Sequence, residues 1–251
     1  MRTLAFLNQK GGTCKTTSAV SLAAALGEMG KKVLIVDLDA QASASSWLGV
    51  KDESRGLFEV FTDNGNLADL VHETSVPGVD LVPGSAWLAG LERTLAAEPG
   101  AETIFRRAVS RLPKRWDFLF VDCPPTLGLL AVSALTACRE ILVPVEASTM
   151  ALGGLASLIE TVGRVKERLN PDLEVSAVLV CRTDSRTNLC RDLVGRLREN
   201  FGDLVLKTTI RETVRLREAW SFSKPVTIYA PKSPGAEDYR RAAAELLKRG
   251  R

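Results

Sequence analysis

The segment Asn8-Gln9-Lys10-Gly11-Gly12-Thr13-Cys14-Lys15-Thr16-Thr17 constrains this chain more than any other. It follows a continuous apolar run, Thr3–Leu7, and opens an Ala- and Leu-rich stretch of helical period, Lys15–Met29. A strand, a glycine loop and a helix starting at Lys-Thr gather consecutive backbone N–H groups and a helix N-terminus around one point, which is an anion nest. Bulky side chains ahead of the helix would block a phosphate, which accounts for the glycine pair. In that arrangement Lys15 neutralises β- and γ-phosphate oxygens and the Thr16 hydroxyl coordinates Mg²⁺. The usual spacing Gly-x4-Gly-Lys-[Ser/Thr] is not met literally: Gln9 stands at the first glycine position and Cys14 at the second.

The rest of the chain repeats the strand-then-helix rhythm. Strands are predicted at Val33–Asp37, Val79–Pro83, Phe118–Asp122, Ile141–Val145, Val175–Val180 and Leu204–Thr208. Runs such as VLIVD, FLFVD and ILVPV read as strands buried on both faces of a parallel sheet. Helical period marks Ala86–Ala97, Thr103–Arg111, Leu127–Ala137, Leu152–Leu169, Leu189–Asn200 and Ala236–Lys248. The expectation is α/β: a single P-loop domain over residues 1–251, with a mostly parallel twisted sheet, helices on both faces and ligands at the carboxyl ends of the strands. A 45% apolar, 25% charged composition excludes disorder and fibrous classes.

No run approaches the roughly 18 apolar residues a spanning helix needs, and no basic n-region with a long apolar core precedes Thr3, so a cytoplasmic protein is expected. Five scattered cysteines without CxxC spacing argue against a disulfide framework or a zinc site. The single histidine, His72, sits in a polar stretch predicted to be a surface loop, a poor base for triad chemistry.

Two strands end in acids. Asp122, after Phe118-Leu119-Phe120-Val121, reads as a Walker B carboxylate holding Mg²⁺ through water. Asp37-Leu38-Asp39 closes the second strand and would serve the same crevice or cap the helix that follows.

Lys10-Gly11-Gly12-Thr13-Cys14-Lys15-Thr16-Thr17, with its extra leading lysine, resembles the deviant Walker A motif of the ParA/MinD superfamily of ATPases. Cys14 departs from the small residue usual there. Asp37-Leu38-Asp39-Ala40-Gln41 resembles the family's Asp-x-Asp-Pro-Gln element. The resemblance implies that ATP and Mg²⁺ bind at residues 10–17, that Asp39 positions or activates the attacking water while Asp37 supports the site, and that Lys10 reaches the partner's phosphates in an ATP-dependent homodimer.

The resemblance continues to the C-terminus. Asp184-Ser185-Arg186-Thr187 is similar to the family's Asp-x-Arg-Thr turn. Val214-Arg215-Leu216-Arg217-Glu218-Ala219 with Lys224-Pro225-Val226, and Pro231-Lys232-Ser233-Pro234-Gly235-Ala236-Glu237, resemble stretches of the chromosome- and plasmid-partitioning ParA/Soj branch. Arg211 and Trp220 stand where prolines are common. This branch implies a ParB-like centromere-binding partner that stimulates weak hydrolysis.

Charge agrees with that reading. Residues 1–181 carry 17 basic and 21 acidic side chains, whereas residues 182–251 carry 16 and 9, a local excess of +7. Arg211, Arg215, Arg217, Lys224, Lys232, Arg240 and Arg241 are therefore candidates for sequence-independent contacts to duplex DNA and hence to the nucleoid. The alternative is a membrane-cycling, MinD-like positioning ATPase. It needs an amphipathic tail helix with large apolar residues, and the tail offers only Leu246 and Leu247, so no membrane partner is expected.

Overall fold

A computed structural model of the chain describes residues 1–51, 54–184 and 186–249; Ser185 of the Asp-Ser-Arg-Thr turn lies outside them. The strands are β1 (Arg2–Phe6), β2 (Val33–Asp37), β3 (His72–Glu73), β4 (Val79–Val82), β5 (Phe118–Asp122), β6 (Glu140–Glu146) and β7 (Glu174–Cys181). They form one sheet in the order β3-β4-β2-β5-β1-β6-β7. All pairings are parallel except β3 with β4. His72 therefore lies on a short antiparallel edge strand and not in a loop, though it is exposed as expected.

The helices are α1 (Lys15–Glu28), α2 (Ser43–Trp47), α3 (Gly56–Thr62), α4 (Leu91–Thr94), α5 (Ile104–Ser110), α6 (Leu129–Ala137), α7 (Ala151–Arg168), α8 (Asn188–Phe201), α9 (Val214–Ser221), α10 (Val226–Tyr229) and α11 (Pro234–Arg249). Successive strand residues point to opposite faces, and the central strands are apolar on both. Leu34, Val36, Leu119 and Val121 pack in the layer with α3, α5, α6 and α7. Val33, Ile35, Phe118 and Phe120 pack in the layer with α1, α2 and α11. Helix α1 is buried along most of its length between the sheet and α11, which explains its small side chains.

Two expectations are corrected. Leu204–Thr208 is not a strand: Gly202–Leu204 is a 3₁₀ turn and Val205 makes only an isolated bridge to Val178. Leu206 N still donates to Val178 O at 2.9 Å, but the Glu245 carboxylate accepts the Lys207 and Thr208 N–H groups at 2.7 and 2.9 Å, so a side chain captures the next donor the ladder needs, that of Thr208. Ala86–Ala97 is a 3₁₀ turn, Ala86–Gly90, followed by the single turn of α4.

Candidate functional site

Register brings the chemistry to one edge. Phe6 and Asp37 both lie opposite Asp122, so the loop after β1 opens beside both strand-end acids. The loop is held by its own polar groups. Asn8 Nδ2 donates to Pro144 O at 2.7 Å, Asn8 Oδ1 accepts from Lys10 N at 3.0 Å, and Thr13 Oγ1 donates to Lys10 O at 3.0 Å. Gly12 (φ +75°) needs glycine's freedom, and Cys14 adopts the same left-handed region (φ 65°) with a Cβ in place. That conformation costs a non-glycine residue about 1–2 kcal/mol.

Gly11 through Thr17, with Asp39 and Gln41, line a polar cavity of about 290 Å³. Lys15 is buried against it, and that burial lowers the ammonium from its ordinary value against the opposing pull of Asp122. Thr16 Oγ1 donates to Asp122 Oδ2 at 2.6 Å, while Asp122 Oδ1 is buried without a protein partner. Burial drives this carboxyl well above the usual carboxylate range. An orphaned carboxylate oxygen beside a hydroxyl, next to a phosphate-sized nest, fits Mg²⁺, which takes few protein ligands and keeps its waters.

The two acids after β2 divide. Asp37 is fully buried and spends both oxygens inside the protein. Its Oδ2 accepts from Ser45 N at 2.9 Å and Ser45 Oγ at 2.8 Å, and its Oδ1 accepts from Asp39 N at 3.3 Å. Burial raises it to about 6. It thus ties the first turn of α2 to the strand end, the capping alternative. Gly84 completes this packing, since a Cβ there would meet Asp37 O at 2.7 Å. Asp39 uses Oδ1 for Gln41 N at 2.9 Å and lines the polar cavity.

Lys10 turns away from that cavity and pairs with Glu146 at 3.3 Å, and Arg182 meets the other Glu146 oxygen at 3.5 Å. Arg182 also lines the loop cavity and a second, adjoining one of about 350 Å³. Trp47, Ile210, Leu216, Trp220 and Tyr239 give this second cavity an apolar, aromatic wall. Trp220 packs edge-on against Trp47 at 5.3 Å, which accounts for the residue found where proline is common. The two cavities share Cys14, Thr16, Thr17, Ser43 and Arg182, so together they are one site with a polar end and an aromatic end. Cys14 sits at the junction. The neighbouring Cys181 thiol, with the Arg182 guanidinium, holds it below the ordinary thiol value.

The basic candidates fall into two groups. Arg215 and Arg217 on α9, Lys224 and Lys232 are exposed. Arg215 and Arg217 make solvent-side pairs with Glu218 at 2.7 Å and Glu212 at 3.8 Å. Neither lysine joins an ion pair among the described residues. Arg211, Arg240 and Arg241 have stronger local partners. Arg211 forks onto buried Asp238 at 2.9 and 2.9 Å, Arg241 also bonds Asp238, and Arg240 forks onto Glu28 at 2.6 and 3.0 Å. Arg211→Ala is expected to lower stability by about 2 kcal/mol, because it strips a buried carboxylate of charged donors. Arg215→Ala, with its exposed partner, should stay within about 0.5 kcal/mol. Urea midpoints check this, and equal midpoints would remove the distinction.

A family model described as an AAA domain matches residues 1–175. The chain is 39% identical over 249 residues to the sporulation initiation inhibitor protein Soj of Bacillus subtilis, covering 98% of each chain. It is 43% identical over 249 residues to the chromosome-partitioning ATPase Soj of Thermus thermophilus, covering 99% of this chain and 96% of that one. A cobyrinic acid a,c-diamide synthase from Mycobacterium smegmatis, solved with an ATP analogue and magnesium, superposes with a TM-score of 0.86 at 34% identity, covering 99% of this chain and 95% of that one.

Proposed function

Since the chain belongs to the ParA/Soj type of the ParA/MinD superfamily of ATPases, we propose that it is an ATP-driven dimerising switch. In this reading residues 1–251 act as one unit that binds duplex DNA without sequence preference, associates with the nucleoid and drives chromosome or plasmid segregation. Hydrolysis, stimulated by a ParB-like centromere-binding partner, resets it. The observation that carries the reading is the shared helix α9. Its Leu216, Arg217 and Trp220 line the aromatic end of the site, and its Arg215 faces solvent.

The residues divide the work. Backbone N–H groups of Gly11 to Thr17 bind the phosphates of ATP, Lys15 balances their charge, and the aromatic end takes the base. Thr16 and Asp122 would hold Mg²⁺, which supplies further positive charge at the β- and γ-phosphate oxygens. Asp39 orients water at the γ-phosphate. Lys10 lies outside its own subunit's phosphate cavity, which supports a role toward the nucleotide of a second subunit.

Lys15→Ala is expected to weaken ATP binding by roughly 100-fold and to abolish ATP-dependent dimerisation. Titration of a fluorescent ATP analogue with light scattering checks both, and wild-type behaviour in the variant would overturn the site. No helix among the described residues is long and apolar enough to cross a membrane, and the alternative needs instead exposed large apolar residues on the tail helix. Leu246 is fully buried and Leu247 packs against the same core. ATP-dependent flotation with liposomes would favour that alternative instead.

A further inference from the structure

Two cysteines line the aromatic end of the site, and one of them, Cys14, also lines the polar end. Cys14 precedes α1 and is partly solvent-accessible through the site, while Cys181 ends β7 and is fully buried. Both line the aromatic-end cavity. Ser18 bridges their elements: its N–H donates to Cys14 O at 2.8 Å and its hydroxyl lies 3.8 Å from Cys181 Sγ. The remaining cysteines are buried elsewhere, Cys123 and Cys138 in the opposite layer of the core.

We propose that Cys14 and Cys181 are a reversible redox pair whose disulfide closes the nucleotide cavity. The inference rests on the reading of that cavity as the ATP site. The oxidant is hydrogen peroxide, which is small enough to enter it. The Cys14 sulfur attacks one peroxide oxygen and the O–O bond breaks. Cys14 becomes a sulfenic acid, and the displaced oxygen leaves as water with the thiol proton. The Cys181 sulfur then attacks the sulfenic sulfur, the S–O bond breaks, and the hydroxyl leaves as water with the Cys181 proton. The two thiols lose two electrons and the peroxide gains them. Access to Cys14 suffices, because Cys181 reacts only with its neighbour. The new bond pins the start of α1 to the end of β7 and puts its two sulfurs where the polar and aromatic ends join.

The test treats the full-length protein with hydrogen peroxide and reads two quantities. Non-reducing tryptic mass spectrometry should find peptide Gly11–Lys15 joined to Leu169–Arg182. Affinity for a fluorescent ATP analogue should fall by roughly tenfold or more and return with dithiothreitol. Cys181→Ser, compared with its own untreated form, should keep its affinity through the same treatment. Free thiols at both positions, a cross-link that leaves affinity unchanged, or equal loss in Cys181→Ser would each overturn the pair. Failure of the untreated protein to bind the analogue would instead sink the ATP reading, and the peptide map would still report whether the bond forms.

Discussion

Asp39→Ala is expected to bind ATP within about threefold of the parent chain while its steady-state hydrolysis falls by about 10²- to 10³-fold. The separation follows from what each carboxylate touches. Asp39 has one oxygen engaged by Gln41 N and stands on the wall of the polar cavity that the loop also lines. Among the described residues no hydrogen bond engages its second oxygen, so its loss leaves the nest and Lys15 in place. Asp37, two residues earlier, is fully buried and committed to Ser45 and Asp39. Asp37→Ala removes the tie between β2 and α2, so its expected signature is a lower melting temperature together with weaker nucleotide binding. Single-turnover hydrolysis measured beside equilibrium binding distinguishes the two. Parental turnover in Asp39→Ala would show that the water is positioned by another group.

The polar end of this site was legible because its residues are consecutive. One strand, one loop and one helix start hold residues 10–17, and the acids fall at the ends of apolar runs whose register the parallel sheet imposes. The aromatic end was not legible, since Trp47, Arg182, Ile210, Leu216, Trp220 and Tyr239 come from separate segments that only tertiary packing assembles. Helix α9 was missed for a local reason: it is short, and its alternating Arg and apolar residues give a weak apolar stripe. Its start is set by Thr213, whose side chain accepts from Leu216 N at 3.3 Å. Leu204–Thr208 has strand-like composition, yet Glu245 takes two of its donors from 37 and 38 residues away. The excess of basic residues was visible in composition, but composition counts charges without their partners. Arg211, Arg240 and Arg241 are engaged by Asp238 and Glu28, so the number available to a ligand is smaller than the net charge suggests.

That smaller number sets the expected behaviour on DNA. With Arg215, Arg217, Lys224 and Lys232 on each subunit, an ATP-bound dimer would neutralise about eight phosphates, giving a slope of log affinity against log salt near −7. Affinity for non-specific duplex DNA should then fall by about 10⁴-fold between roughly 50 and 200 mM salt. Lys224→Ala or Lys232→Ala removes about one contact per subunit and should flatten the slope by about 2. These lysines are the sharper probes, because neither joins an ion pair among the described residues and neither lines the nucleotide cavity. Arg217 lines the aromatic end, so Arg217→Ala mixes lost phosphate contact with altered nucleotide binding. ATP dependence adds the second axis. A monomer offers half the contacts, so without ATP, or in Lys15→Ala, the slope should drop to near −3.5. Fluorescence anisotropy with a labelled duplex, repeated across salt with and without ATP, reads both axes. A slope insensitive to nucleotide would separate DNA binding from dimerisation, and a flat salt dependence would remove DNA as the partner of this face.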